Sequence, residues 1–362
     1  MNRYIILFSS FLRPAVILVC AMLLFNLPTL IYKIGMFLRG ILYLAFCNDK
    51  SWKKPQDPIL VVGPMLAKEK ETGDSANLER KTIYFVRHGE STWNDTFNKG
   101  SHRSAAVFAI GFIPGLIKAL LFELYLILSG KLDSWFYDSP ASNLGLSQVQ
   151  DLASFMKQAK TKDDTIAQHI AILKASPDAP PSKIICSSLR RAVTTMAGGF
   201  KDRLSRRPSE KVLIVPALQE ISRNPDALSI TPAHTQIQAS WIDKTSELTN
   251  FQATYINQVD MSLHDGNKPL GSNGLKRMRD FCQFVFSPSC PEDYVVAGGH
   301  SIWFRSFFNT FLPYGEDHPG KNKKIINCGI VALTLIKATR PSGQATYMID
   351  PNSVEVIYGG FH

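Results

Sequence analysis

The chain has 362 residues, 45% of them hydrophobic, and a formal charge of +10, which suffices for one large domain or two ordinary ones. Six cysteines, at 20, 47, 186, 282, 290 and 328, form no CxxC pair and have no histidines at zinc spacing, which argues against a disulfide framework and a bound metal. Residues 1–55 carry seven Lys or Arg against one Asp, leaving +4 for the rest, and no dense basic block with interleaved aromatics follows, so nucleic acid is not an expected partner.

From Pro14 to Tyr32 the chain runs nineteen residues without a charge, about the length that crosses a bilayer core. A signal anchor is preferred over a cleaved signal peptide, because no small-x-small cleavage site follows. A second apolar run, Ile34 to Cys47, is interrupted by Arg39; it is short for a span and suits the membrane interface. Lys33, Arg39, Lys50, Lys53 and Lys54 follow the span, whereas Arg3 and Arg13 precede it. That bias makes a single-pass protein with its downstream domain in the cytosol. The expected organisation is a membrane anchor over 1–48, a linker rich in Lys, Glu, Pro and Gly over 49–80, and a folded domain over 81–362.

Four strand-like runs then end on chemistry. "IYFV" (83–86) reads as a strand buried on both faces and stops on Arg87, His88, Gly89 and Glu90, with Asn94 just beyond. Lys183 to Cys186 leads into a helix start at Ser187 or Ser188, followed by Arg190 and Arg191. "VLIVPALQE" places Glu220 just past a strand, and "YVVAGGHSIWFR" delivers His300. Each feature alone has a bland reading as a solvated strand end or a core histidine. Together they bring two His, two Arg and one Glu to the carboxyl edge of a sheet, where open α/β folds hold ligands.

That set has the logic of phosphoryl transfer through a covalent histidine. A neutral imidazole is a nucleophile toward phosphorus and divides one displacement into two. Guanidinium forks match the phosphoryl oxygens and keep their charge through the reaction. A carboxyl group can protonate the leaving oxygen and then take a proton from the attacking water. No cofactor or metal is called for.

On these motifs the sequence resembles the histidine phosphatase superfamily, also called the phosphoglycerate mutase-like family, over roughly residues 80–360. The resemblance implies that His88 in "RHGESTWN" is the phosphorylated histidine, that Arg87 and Asn94 contact phosphate, and that Arg191 in "SSLRRA" is the second arginine. It makes Glu220 in "LQE" the proton donor and His300 in "GGHS" the second histidine. Ser301 follows His300 where the acid-phosphatase branch has an Asp, which favours the mutase-like branch. "DSPASNLGLSQVQDL" resembles the segment before the family's first long helix, with Ala141 where a leucine is usual. The implied fold is a three-layer α/β sandwich around a mostly parallel sheet. The strand-like runs at 82–86, 183–186, 212–215, 293–297 and 329–337 agree with it, and "ATYMID" with "VEVIY" reads as a closing hairpin joined at Asp350-Pro351-Asn352.

Two insertions depart from the family pattern. Residues 104–130 are apolar all round except for Lys118 and Glu123. The segment must leave and rejoin one domain on the same side, so a monotopic or re-entrant hairpin broken at Pro114-Gly115 is expected, with a helix pair packed inside the protein as the alternative. Residues 222–271 are polar, with Asn224, His234, His264 and Asp265, and are expected to cap the pocket.

The leading function is a membrane-anchored phosphatase acting on a phosphorylated small molecule or lipid. A phosphoryl-retaining mutase and a catalytically silent phosphate-binding scaffold are the alternatives. The sequon Asn94-Asp95-Thr96 lies inside the nucleophile motif, which counts against a glycosylated lumenal domain.

Overall fold

The computed structural model describes residues 26–100 and 103–362, so residues 14–25 of the uncharged run lie outside the described residues. Helix α1 spans Leu27–Phe46 without a break. The two expected N-terminal segments, divided near Lys33, are therefore one helix across that boundary. Lys33 is not a flanking cation either; it is buried and bonded to Glu123 Oε1 at 2.5 Å. The stretch expected as a linker is partly built into the domain. Asp49 is fully buried, and α2 (Ile59–Thr72) packs Val62 among Leu78, Ile336 and Met348.

Beyond it come β1 (Leu78–Arg87), α3 (Thr92–Phe97), α4 (Ala105–Leu128), α5 (Asn143–Gln158), α6 (Asp164–Lys174), β2 (Ser182–Cys186), α7 (Arg190–Gly199) and α8 (Lys201–Arg206). The second half holds β3 (Val212–Ile214), α9 (Phe251–Gln258), β4 (Val259–Asp260), α10 (Gly274–Val285), β5 (Tyr294–Gly299), α11 (Ser301–Phe311), β6 (Ile330–Thr339), β7 (Ala345–Ile349) and β8 (Glu355–Tyr358).

The strands form one mixed sheet in the order β4-β3-β2-β5-β1-β6-β7, with β8 also on β6. The five strands from β4 to β1 run parallel, and β6 closes the sheet antiparallel to β1. Alternation along β1 divides the core. Tyr84 and Val86 pack with α5 and α7 on one face, while Ile83 and Phe85 pack with α10 and α11 on the other. The Phe85 ring stacks on Phe304 at 4.3 Å and meets Trp303 and Phe307 edge-on. The result is the three-layer α/β sandwich expected.

Three local expectations are corrected. The 104–130 insertion is not a hairpin: α4 continues through Pro114 as a single helix. Proline forfeits one backbone bond and crowds the preceding turn, but it need not end a helix whose two ends are held. Ser104 Oγ accepts Val107 N–H at the start, and Asn26 Nδ2 donates to the Leu128 carbonyl at the end. The closing hairpin is likewise absent. β7 pairs with Leu335–Thr339 and β8 with Ile330–Ala332, so both lie end to end along β6. Pro351 has no N–H for a ladder, and Ser353 Oγ takes the Thr334 N–H between them. Finally, the 222–271 segment is not only a cap, since it returns β4 to the edge of the sheet.

Close backbone approach sets the path after β1. A Cβ on Gly145 at the start of α5 would sit 2.1 Å from the Glu90 carbonyl oxygen, and one on Gly89 would sit 2.7 Å from the Gly145 carbonyl oxygen. Gly145→Ala is therefore expected to destabilise the fold by about 1–3 kcal/mol and to displace the 88–90 loop. Chemical denaturation checks this; an unchanged unfolding midpoint would contradict the packing.

Candidate active site

Register builds the site. Arg87 pairs with Gly299 and Cys186 with Gly298, so the next residues of β1, β5 and β2 emerge side by side at the carboxyl edge. These are His88, His300 and Ser187. The two imidazole centroids lie 5.0 Å apart, and His300 Nε2 is 2.8 Å from Ser187 Oγ.

His88 is buried, with Nδ1 2.5 Å from its neighbour's carbonyl, Gly89 O. A carbonyl only accepts, so Nδ1 carries the proton and Nε2 keeps its lone pair. Arg191 Nε donates to that same Nε2 at 3.3 Å. Burial, then the charges of Arg191 and Arg87, hold the His88 pKa well below the usual histidine range. His300 is pushed down in the same way, by burial and then Arg191. Both rings are therefore neutral at neutral pH.

Two guanidinium groups face this pair. Arg87 is buried, gives one N–H to the Ile325 carbonyl, and leaves Nε buried without a partner among the described residues. Burial lowers its pKa to about 10, which leaves it charged at neutral pH. Arg191 is held by Asp226, through the carbonyl at 2.7 Å and the carboxylate at 3.3 Å. The preceding Arg190 turns away to Asp133 and Asp138 and fixes the helix instead. Helix α7 begins at Arg190, later than the expected Ser187 or Ser188, with Leu189 as its cap residue.

Glu220 sits across the pocket at the start of α11. Its Oε1 accepts from Trp303 N–H at 2.9 Å and Ile221 N–H at 2.8 Å, and Oε2 from Ile302 N–H at 3.3 Å. Free N–H groups at a helix N-terminus fix a carboxyl group there. Asn94 is turned by an Asn98 Nδ2 bond to its Oδ1 at 2.6 Å. Arg87, His88, Asn94, Arg191 and Glu220 line one cavity of about 150 Å³, with Trp93 and Lys324 on its wall. The remaining expected residue, His300, stands directly behind His88. Of the polar residues noted in the cap, Asn224 lines the cavity, while His234 lies at a separate surface groove.

Two contributors were not legible in sequence. Asp226 lies inside a polar insertion where its pairing with Arg191 had no motif to announce it. Asp49 reaches the site from the far end of α1. Its carboxylate accepts from Lys268 Nζ at 2.6 Å, Arg277 Nη2 at 2.7 Å and Ser272 Oγ at 3.0 Å. Lys268 in turn donates to the carbonyls of Glu220 at 2.6 Å and Ser222 at 2.7 Å. Burial alone would raise the Asp49 pKa, but Arg277 and Lys268 pull it below the usual carboxylate range.

No protein-family model and no curated protein matches the chain. Solved structures do. A mycobacterial glucosyl-3-phosphoglycerate phosphatase complexed with VO3 is 14% identical, with 75% of this chain and 97% of that one covered at a TM-score of 0.35. An ecdysone phosphate phosphatase from Bombix mori in complex with tungstate is 15% identical, with 75% and 93% covered at 0.32. A phosphoglycerate mutase from Bacillus anthracis is 11% identical, with 77% and 96% covered at 0.34. The chain is thus similar to histidine phosphatase and phosphoglycerate mutase-like proteins.

Burial, against the pull of Arg191, raises the Asp226 carboxyl to about 6. Above that pH it is charged and occupies Arg191; below it, the neutral carboxyl releases the guanidinium to an incoming anion. Asp226→Asn is therefore expected to bind inorganic phosphate or vanadate more tightly than the parent at pH 8, with the two converging as pH falls below about 6. A ratio of the two affinities that stays constant with pH would contradict this. Asp49→Asn removes the buried charge that pairs two cations, and is expected to cost about 3–5 kcal/mol of stability. Unfolding midpoints equal to the parent's would show that the cluster does not hold the Glu220 loop.

Proposed function

We propose that the protein is a membrane-anchored phosphomonoester hydrolase acting through a phosphohistidine on His88. One observation carries the reading. The Nε2 lone pair of a neutral, buried imidazole faces a guanidinium in a cavity lined by two arginines, while Nδ1 is tied to its own loop. Such an imidazole has no strong intramolecular proton to give and a lone pair directed at an anion site.

In the first step His88 Nε2 attacks phosphorus and the phosphorus–oxygen ester bond breaks. The leaving oxygen takes a proton from the Glu220 carboxyl group; Oε2, on the longer 3.3 Å bond, is the freer oxygen to carry it. Arg87, Arg191 and Asn94 bind the equatorial oxygens, and His300 backs the His88 ring. In the second step water attacks phosphorus, the phosphorus–nitrogen bond breaks, and Glu220 takes the water's proton. Inorganic phosphate and the starting enzyme result.

The substrate is a phosphorylated small molecule or a lipid phosphate. The N-terminal apolar run anchors the chain, with the catalytic domain on the cytosolic side. Arg39, Lys50, Lys53 and Lys54 after the run support that orientation, and so do the unpaired thiols at 47, 186, 282, 290 and 328.

The test is phosphate release from soluble and lipid phosphomonoesters by the full chain in detergent and in lipid. His88→Ala is expected to abolish release. Glu220→Gln should lower it about 10²–10⁴-fold on esters with poor leaving groups. Acid-labile label retained on His88 without release would replace hydrolase by mutase. Neither label nor release would leave a phosphate-binding scaffold.

A further inference from the structure

Helix α1 wears its polarity inside out, and α4 beside it is apolar all round. On α1 the buried positions are Thr29, Lys33, Met36, Gly40, Tyr43 and Cys47, a stripe at alternating spacings of four and three. Polar and small residues dominate that stripe, and Lys33 inside it is bonded to Glu123 of α4. The outward face instead carries Ile31, Phe37, Leu38 and Phe46, all at least half exposed. On α4 the inward positions include Phe112, Ala119, Phe122, Glu123 and Leu126, whereas Ile110 is 78% exposed and Ile113, Leu120 and Leu121 also point out. A helix on a domain in water turns its apolar stripe inward. Here the medium outside the pair must be the more apolar one.

Neither helix can leave the domain to span a bilayer alone. Arg103, just before α4, pairs with Asp95 at 3.3 Å, and Asp133, just after it, pairs with Arg190 at 2.6 Å. Both ends are thus on one side. Between them Phe112 meets Phe97 at 6.3 Å, and Phe122 meets Trp241 at 4.3 Å, so the helix is fastened along its length. Helix α1 is fastened too, by Lys33 at one end and by the buried Asp49 just past the other. At about 1.5 Å per residue, the 24 residues of α4 extend some 36 Å along the surface.

We propose that the outward faces of α1 and α4 form one in-plane membrane-docking surface, seated in the apolar layer beneath the headgroups of a bilayer. The chain outside the structure identifies lipid as the occupant. The uncharged run continues through residues 14–25 to Asn26, whose side chain is bonded to the C-terminal carbonyl of α4. Asn26, which follows that run directly, therefore lies at the edge of this same face. Lys118, Lys131 and Arg39 are exposed on these helices or just beyond them, and their long side chains can reach anionic headgroups. The surface also adjoins the pocket: Trp93 on the cavity wall meets Phe97 at a tilt with centroids 4.4 Å apart, and Phe97 meets Phe112 of α4.

The docking surface does not depend on the hydrolase reading, and its test measures no turnover. The full chain, with Cys20→Ser so that an environment-sensitive fluorophore does not label the N-terminal run, carries Ile113→Cys in one variant and Leu121→Cys in another. Each is reconstituted in phosphatidylcholine vesicles containing phosphatidylserine, with nitroxide lipids bearing the quencher near the headgroup or near the chain end. Both labels are expected to lose about half their emission to the shallow quencher and much less to the deep one, as suits an interfacial helix buried about 5–10 Å. Emission unaffected by either quencher would overturn the proposal by showing water or protein over the face. Both labels quenched more by the deep quencher than by the shallow one would overturn it in favour of a spanning helix, whose midpoint lies between them.

Discussion

The pairing of Arg87 with Gly299 across β1 and β5 is the constraint on which the site depends. Slipping that register by one residue would turn every side chain of β1 to the other face, moving Phe85 out of its aromatic cluster and His88 away from His300. The two core layers, one built on Tyr84 and Val86 and the other on Ile83 and Phe85, hold the register from opposite sides. The geometry of the site and core packing are thus the same decision. Gly89 and Gly145 extend it, because the loop carrying His88 can pass beside α5 only without side chains at those points.

Charge is distributed so that the pocket is strongly cationic while each cation is restrained. Arg190 and Arg191 are adjacent in sequence but have opposite duties. Arg190 is consumed by Asp133 and Asp138, whereas Arg191 is held by Asp226 alone and faces His88. The same economy appears around Glu220, whose side chain is fixed by α11 and whose backbone is fixed by Lys268 and Arg277. Asp49 pairs with both of those cations, so the segment just past the first helix is part of the scaffold of the Glu220 loop. An N-terminal segment that looks separable in sequence is structurally joined to the pocket.

The strands and their terminal residues were legible because buried parallel strands read as short apolar runs, and each ended on a residue with distinctive chemistry. All six expected site residues lie at or directly behind one cavity. What could not be read was set by long-range contacts. Nothing near Asp49 in sequence signals Lys268 and Arg277 more than two hundred residues away. Residues 350–352 read as a hairpin turn because local composition cannot say that β6 already offers its edge to both flanking strands. The inverted polarity of α1 was hidden for a related reason. Apolar residues all round a helix carry no period, so the buried stripe is visible only once Lys33 is seen to reach Glu123.

The proposed hydrolysis turns on which atom of which residue takes the phosphoryl group. Nδ1 of His88 holds its proton against the Gly89 carbonyl, so Nε2, now facing Arg191, is the nitrogen with a lone pair for phosphorus. The measurement is phosphorus-31 and nitrogen-15 NMR of the full chain, denatured in alkali during turnover of a phosphomonoester so that the phosphoramidate survives. The expected result is a single phosphohistidine, on His88, with phosphorus bonded to Nε2. Phosphorus on Nδ1, on His300, or on no histidine at all would contradict the assignment of His88 as the nucleophile.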